Sequence, residues 1–181
     1  MRRFLAPFLS LLFAGLAIAG VLRTESSDAA APEPAAQVSR MVSGIIGYAR
    51  WPQTPESYRF CVAGKPVYLS GNAGELAAAL DVPLTLQSVG GGDAGALSGC
   101  DVLYLAGLSA AQRAALLAAA IGRPVLTLVE NDPLCADPAM FCLSVKAGEV
   151  GLLVNVDAIS RSAVRVNPKV LQLVRRRQEA Q

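Results

Sequence analysis

The chain has 181 residues, 53% of them apolar, and a formal net charge of +2. That is enough for one well-packed domain plus a short leader, with no bulk field to hold nucleic acid. There is no histidine, which excludes Ser-His-Asp and Cys-His catalysis, imidazole zinc sites and imidazole pH switching.

Arg2 and Arg3 precede an almost wholly apolar run from Phe4 to Leu22. Ala17-Ile18-Ala19 and Ser27-Asp28-Ala29 each fit a small-x-small cleavage site. Residues 1–29 are therefore predicted to be a cleaved secretory signal, with an uncleaved signal anchor as the alternative. Residues 30–35, with Pro32 and Pro34, read as a linker, and residues 36–181 as one domain. Arg113 and Pro124 interrupt the most apolar later stretch, so no second span is expected. Export places the thiols in an oxidising compartment. Cys61, Cys100, Cys135 and Cys142 then read as two disulfides. Three pairings are open. The sequential one, Cys61 with Cys100 and Cys135 with Cys142, is preferred, since Asp137-Pro138 offers a turn inside the short loop. Zinc is the rival reading, but there is no C-x2-C knuckle. No metal or cofactor is expected.

A helix is predicted over about 35–50, from Val38, Met41, Val42, Ile45 and Ile46 at helical spacing. Trp51-Pro52 ends it. Tyr58 to Ala63 reads as a strand, residues 74–80 as a short helix, and Pro83 to Val89 as a second strand. Gly90, Gly92 and Gly95 formally match G-x-G-x-x-G, but only Ala94 to Ser98 intervenes before Gly99-Cys100 and the next strand. A phosphate loop needs a helix directly behind it, so a plain glycine loop is expected. Asp101 to Ala106 is a buried-type strand. Ser109 and Gln112 form a capping box for a helix to about Ile121, which Gly122 ends. Pro124 to Val129 follows as a strand, and strand–helix–strand implies a parallel pair. Glu130, Asp132 and Asp137 look like a metal cluster but read as a solvated loop tied down by a bridge. Phe141 to Val145 and Val150 to Val156 form a hairpin around Ala147-Gly148. Asp157 is the predicted N-cap of a helix to Ala163, and Val164 to Val166 is extended. Pro168 opens a last helix, Lys169 to Gln178, with Arg175, Arg176 and Arg177 complementing its C-terminal dipole. The fold class is α/β: a mostly parallel sheet flanked by helices, with an antiparallel edge hairpin and two disulfides.

Behind the leader, several segments form one ordered set. They are Tyr48…Trp51-Pro52, Tyr58-Arg59-Phe60-Cys61-Val62-Ala63-Gly64 and Cys100-Asp101-Val102-Leu103-Tyr104-Leu105. Val125-Leu126-Thr127-Leu128-Val129, Leu153-Val154-Asn155-Val156 and Val166-Asn167-Pro168-Lys169-Val170-Leu171 complete it. Over about residues 36–178 the set resembles the YfiR/HmsC family of periplasmic repressors. The resemblance implies a non-enzymatic protein that binds the periplasmic sensor domain of an inner-membrane diguanylate cyclase. Cyclic di-GMP synthesis and biofilm formation would then stay low. It also implies an OmpA-like outer-membrane lipoprotein as a sequestering partner, and impairment under reducing conditions. On the same resemblance Cys61–Cys100 and Cys135–Cys142 are the pairs. Phe141 and Ile159 match apolar positions used for repression or partner contact, and Arg50 and Arg165 match basic positions linked to a small anion. Leu153, where a family member can carry an acidic residue, is counted with the partner-binding positions. Asn167 stands where one can carry histidine. A homodimer is left open.

Cys135–Cys142, in an exposed loop, is expected to be the more labile bridge and Cys61–Cys100 the structural one. The alternative function is a periplasmic small-anion binding protein, nucleotide-like in ligand, using the strand ends of a parallel sheet with Arg50 and Arg165. A thiol oxidoreductase would need C-x-x-C, and a hydrolase G-x-S-x-G with histidine; the sequence has neither.

Overall fold

The computed structural model describes residues 34–175 apart from Ser70 and Asp93. The predicted signal, most of the linker, and Arg176 and Arg177 lie outside the described residues. Helix α1 (Pro34–Tyr48) buries the stripe of Val38, Met41, Val42, Ile45 and Ile46. It ends two residues before the predicted boundary. Ala49 and Arg50 leave the helix as a short strand, β1 (Ala49–Arg50), because they pair antiparallel with Val166 and Arg165 far along the chain. Trp51 is buried behind this exit and donates from Nε1 to the Asp101 carbonyl at 3.2 Å.

The remaining elements are β2 (Tyr58–Gly64), α2 (Ala73–Ala77), β3 (Leu84–Val89), a 3-10 turn (Ala94–Gly99), β4 (Val102–Ala106), α3 (Ala110–Ala120) and β5 (Leu126–Glu130). After them come β6 (Phe141–Lys146), β7 (Glu149–Val154), α4 (Val156–Ser160), β8 (Arg165–Val166), a second 3-10 turn (Pro168–Leu171) and α5 (Gln172–Arg175). The main sheet runs β3-β2-β4-β5-β6-β7. Its neighbours pair parallel from β3 to β6, and β7 is antiparallel at the edge. The predicted fold class is the observed one.

Successive side chains on a strand point to opposite faces. Phe60, Val102, Tyr104, Leu126, Leu128, Phe141 and Leu143 therefore join α1 in one cluster. Cys61, Leu103, Leu105, Val129 and Cys142 join Leu116 and Leu117 of α3 in the other. Burial on both faces is why these strands read as continuous apolar runs.

Several terminal signals act as the sequence predicts. Ser109 and Gln112 make the reciprocal capping box of α3. Ala147 and Gly148 take φ of 51° and 82°, the two positive values that a two-residue hairpin favours. The cap of α4 is different. Asn155, not Asp157, is the N-cap, and its Oδ1 accepts from the Ala158 amide at 2.9 Å. The Asn155 amide also donates to the Met140 carbonyl, so the cap is fixed to the sheet two residues before Asp157. Asp157 sits instead in the first turn, paired with Arg161. The final helix also differs. Pro168 begins a 3-10 turn capped by Asn167, and α geometry starts only at Gln172.

Two crossover connections flank β5. The β4–β5 connection carries α3, the usual solution for parallel neighbours. The β5–β6 connection, residues 131–140, joins a parallel pair without any helix. Within it Asn131 and Cys135 hold φ of 64° and 49°, values uncommon for residues other than glycine.

Candidate functional site

Cys61–Cys100 joins the middle of β2 to the turn before β4, with Cα atoms 5.7 Å apart. Both residues are buried among the side chains under α3. The Gln87 amide lies over the bridge, its Nε2 donating to the Gly99 carbonyl at 2.9 Å. Cys135–Cys142 joins the helix-free crossover to β6 across 5.4 Å between Cα atoms. Cys142 is buried and Cys135 half-buried. The pairing is the sequential one.

The three carboxylates that look like a metal cluster in sequence go to three separate structural tasks. Asp132 accepts from the Ala136 and Asp137 amides, each at 3.2 Å. Asp137 pairs with Arg113 of α3. Glu130 is buried and accepts from the Val67 amide at 2.7 Å, the Tyr68 amide at 3.2 Å and the Tyr104 hydroxyl at 2.7 Å. Burial first, and then the Glu130 carboxylate, push the Tyr104 hydroxyl well above the usual phenol range. Among the described residues no group of three or more such side chains is placed to hold a metal ion. Asp101, also buried, takes a bidentate pair from Arg59, with both contacts at 2.9 Å, and closes the opposite end of the sheet.

A ligand site in a doubly wound sheet lies at the carboxyl ends of the strands where the winding reverses. Here β3 and β4 flank β2 on opposite sides, so that point falls between β2 and β4. It is closed by backbone. The Lys65 amide donates to the Ala106 carbonyl at 2.9 Å. Gly64, at φ +86°, lies so near that strand that a Cβ would stand 2.0 Å from the Ala106 oxygen. Open space at this end lies instead over β2 and β3, lined by Val62, Pro66, Leu69 and Leu86 with Gln87 and Ser88, and by no charged side chain among the described residues. The strand ends therefore offer little to the small-anion reading.

The residues carried over from the family resemblance fall into four settings. Phe141 is 0% exposed. It cannot touch a partner from this position, because β6 turns it into the α1-side core; its part is to anchor β6 from beneath. Leu153 is 46% exposed, directly opposite Cys142 on the face away from α1. Ile159 is half-buried and lines an open groove with Val164, Arg165 and Val166. Arg50 and Arg165 are cross-strand partners on β1 and β8, and both are exposed. Arg50 also donates from Nη1 to the Gly47 and Ala49 carbonyls, at 2.8 and 2.6 Å, at the end of α1. Val67, Ile121, Leu134 and Leu171 are exposed apolar residues outside the predicted positions, and so is Val156, 72% exposed at the start of α4 and close along the chain to Leu153. Placing the cap at Asn155 would have revealed it, since that register turns Ala158 inward and Val156 out.

The architecture defines a disulfide-framed α/β domain with its sheet between two helical layers, its buried acids tied to backbone and side chains of its own fold. The chain belongs to the YfiR/HmsC-like family, whose model matches residues 35–175. That family is regulatory rather than catalytic, and membership supports a periplasmic regulator of diguanylate cyclases in general. The two bridges agree with an oxidising compartment such as the periplasm.

Proposed function

We propose that this chain is a periplasmic repressor that docks on the periplasmic sensor domain of an inner-membrane diguanylate cyclase and holds the enzyme inactive. Residues 1–29 serve as the cleaved export signal, residues 30–35 as a linker and residues 36–181 as the working domain. The family match supports the regulatory role. The observation that carries the docking is the exposed apolar pair Leu153 and Val156, set where a bridged edge hairpin passes into α4.

Single exposed aliphatic residues are ordinary on protein surfaces. These two, with Ile159 following on α4, lie along one short stretch of chain whose backbone is fixed by β6, by the Asn155 cap and by the Cys135–Cys142 bridge. A surface already ordered loses little freedom on binding. Leu153, Val156 and Ile159 touch the partner, and Phe141 holds the strand beneath them. An OmpA-like outer-membrane lipoprotein competes for the repressor and thereby frees the cyclase. Arg50 and Arg165, brought side by side, supply a local positive site for a small anion. Like charges across two strands are unfavourable by themselves, and the Gly47 and Ala49 carbonyls offset part of the Arg50 charge.

The experiment is deletion of the gene with complementation, reading cellular cyclic di-GMP by mass spectrometry. Deletion raises the level and the restored gene lowers it. An unchanged level in the deletion strain sinks the proposal.

A further inference from the structure

Two side-chain links hold the crossover of residues 131–140, in addition to the bonds that the Asp132 and Met140 backbone amides make to β6 and β5. One is the Cys135–Cys142 bridge to β6. The other is Arg113 on α3, which donates from Nε to Asp137 Oδ2 at 2.5 Å and from Nη1 to the Leu108 carbonyl at 2.7 Å. The ion pair is largely sheltered, with the Arg113 and Asp137 side chains 28% and 15% exposed. Asp132 makes the loop one body between these fastenings. Its carboxylate accepts from the Ala136 and Asp137 amides, its carbonyl from the Cys135 amide at 3.3 Å, and its own amide donates to the Leu143 carbonyl at 3.1 Å.

We propose that the Arg113–Asp137 pair is a second lock on this crossover, acting in parallel with the bridge, so that it limits how far the loop opens when Cys135–Cys142 is reduced. Reduction adds two electrons and two protons to the cystine, taken from a dithiol that becomes a disulfide. The loop then remains seated on α3 through Arg113. Only when both side-chain links are lost does it leave β6, the Asp132–Leu143 backbone bond being too little to hold it alone, exposing the strand that carries Phe141 and faces Leu153. The reach of the redox response is thus set by an ion pair that contains no sulfur. This holds whatever partner the protein binds.

The test is amide hydrogen exchange of the 131–137 segment, followed by mass spectrometry in four forms of the protein. They are the unmodified chain, Arg113→Gln, the unbridged Cys135→Ser/Cys142→Ala form, and the combination. Parallel locks predict exchange within about twofold of the parent for Arg113→Gln, about tenfold faster for the unbridged form, and about hundredfold or more for the combination, beyond the product of the two. Asp137→Asn in place of Arg113→Gln tests the pair from its other side and gives the same ordering. A combined effect no larger than the product of the single ones overturns the proposal. So does an unbridged form already as fast as the combination, or acceleration of the β4 amides (Val102–Ala106) by the same factor, which marks global unfolding.

Discussion

Cys61–Cys100 spans 39 residues with both cysteines inside the α3-side core, whereas Cys135–Cys142 spans 7 and leaves Cys135 half-buried. The first bridge reinforces strands that are already paired, since β2 and β4 lie in register from Phe60 and Val102 onward. The second stands where the fold has left out a crossover helix. Between β4 and β5, α3 buries Leu116, Leu117 and Ala120 and needs no covalent help. Between β5 and β6 the chain offers Pro133, Pro138 and two acids, Asp132 and Asp137, so covalent and ionic fastenings replace packing. The contrast teaches that the covalently fastened, less buried segment lies beside Leu153, while the core bridge stays remote from it.

The largest expected effect asks whether core or bridge anchors β6. Phe141→Ala empties a fully buried site and should cost about 3–5 kcal/mol in urea unfolding, more than loss of the neighbouring bridge. A smaller cost than the bridge deletion would make the bridge the principal anchor. Next come the bridges themselves. Replacing both members of Cys61–Cys100 should cost about 4 kcal/mol and of Cys135–Cys142 about 2.5 kcal/mol, following the lengths of the loops they close. Under graded reduction, thiol labelling should reach Cys135 and Cys142 before Cys61 and Cys100. The reverse order would undo the contrast between a structural and a labile bridge.

A third effect lies between the two bridges, at the Tyr104–Glu130 contact. The folded state holds Tyr104 protonated, so its pKa is raised above that of the unfolded chain. The stability this contributes is fully present below the unfolded value of about 10 and declines as pH rises through and beyond it. Alkaline unfolding followed by circular dichroism should show that decline, and Tyr104→Phe should flatten it. An unaltered slope in the variant assigns the alkaline transition to other groups.

Much of this was legible before any coordinates. Ser109 and Gln112 act within three residues, and the hairpin turn needs only Ala147 and Gly148, so local spacing suffices. The doubly buried strands announced themselves as apolar runs. What escaped depends on partners distant in sequence. The early end of α1 is set by Val166 and Arg165, more than a hundred positions away. The burial of Phe141 depends on α1 packing over β6, which alternation along the strand cannot reveal; alternation says that two faces differ, not which one is covered. The choice of Arg50 and Arg165 came from family resemblance rather than from spacing, and their adjacency through β1–β8 pairing was not legible in the sequence. The α4 cap was missed because Asn155 and Asp157 are both good caps; only the Met140 contact decides between them.

The smallest expected effect on stability carries the largest functional weight. Leu153→Lys changes an exposed edge position and should leave unfolding within about 0.5 kcal/mol of the parent. The direct test is calorimetric titration of the purified, oxidised protein with the purified periplasmic domain of the diguanylate cyclase. The account predicts saturable binding by the parent and affinity at least about tenfold weaker for Leu153→Lys. Equal affinity for the two proteins, or no binding by the parent, would contradict it.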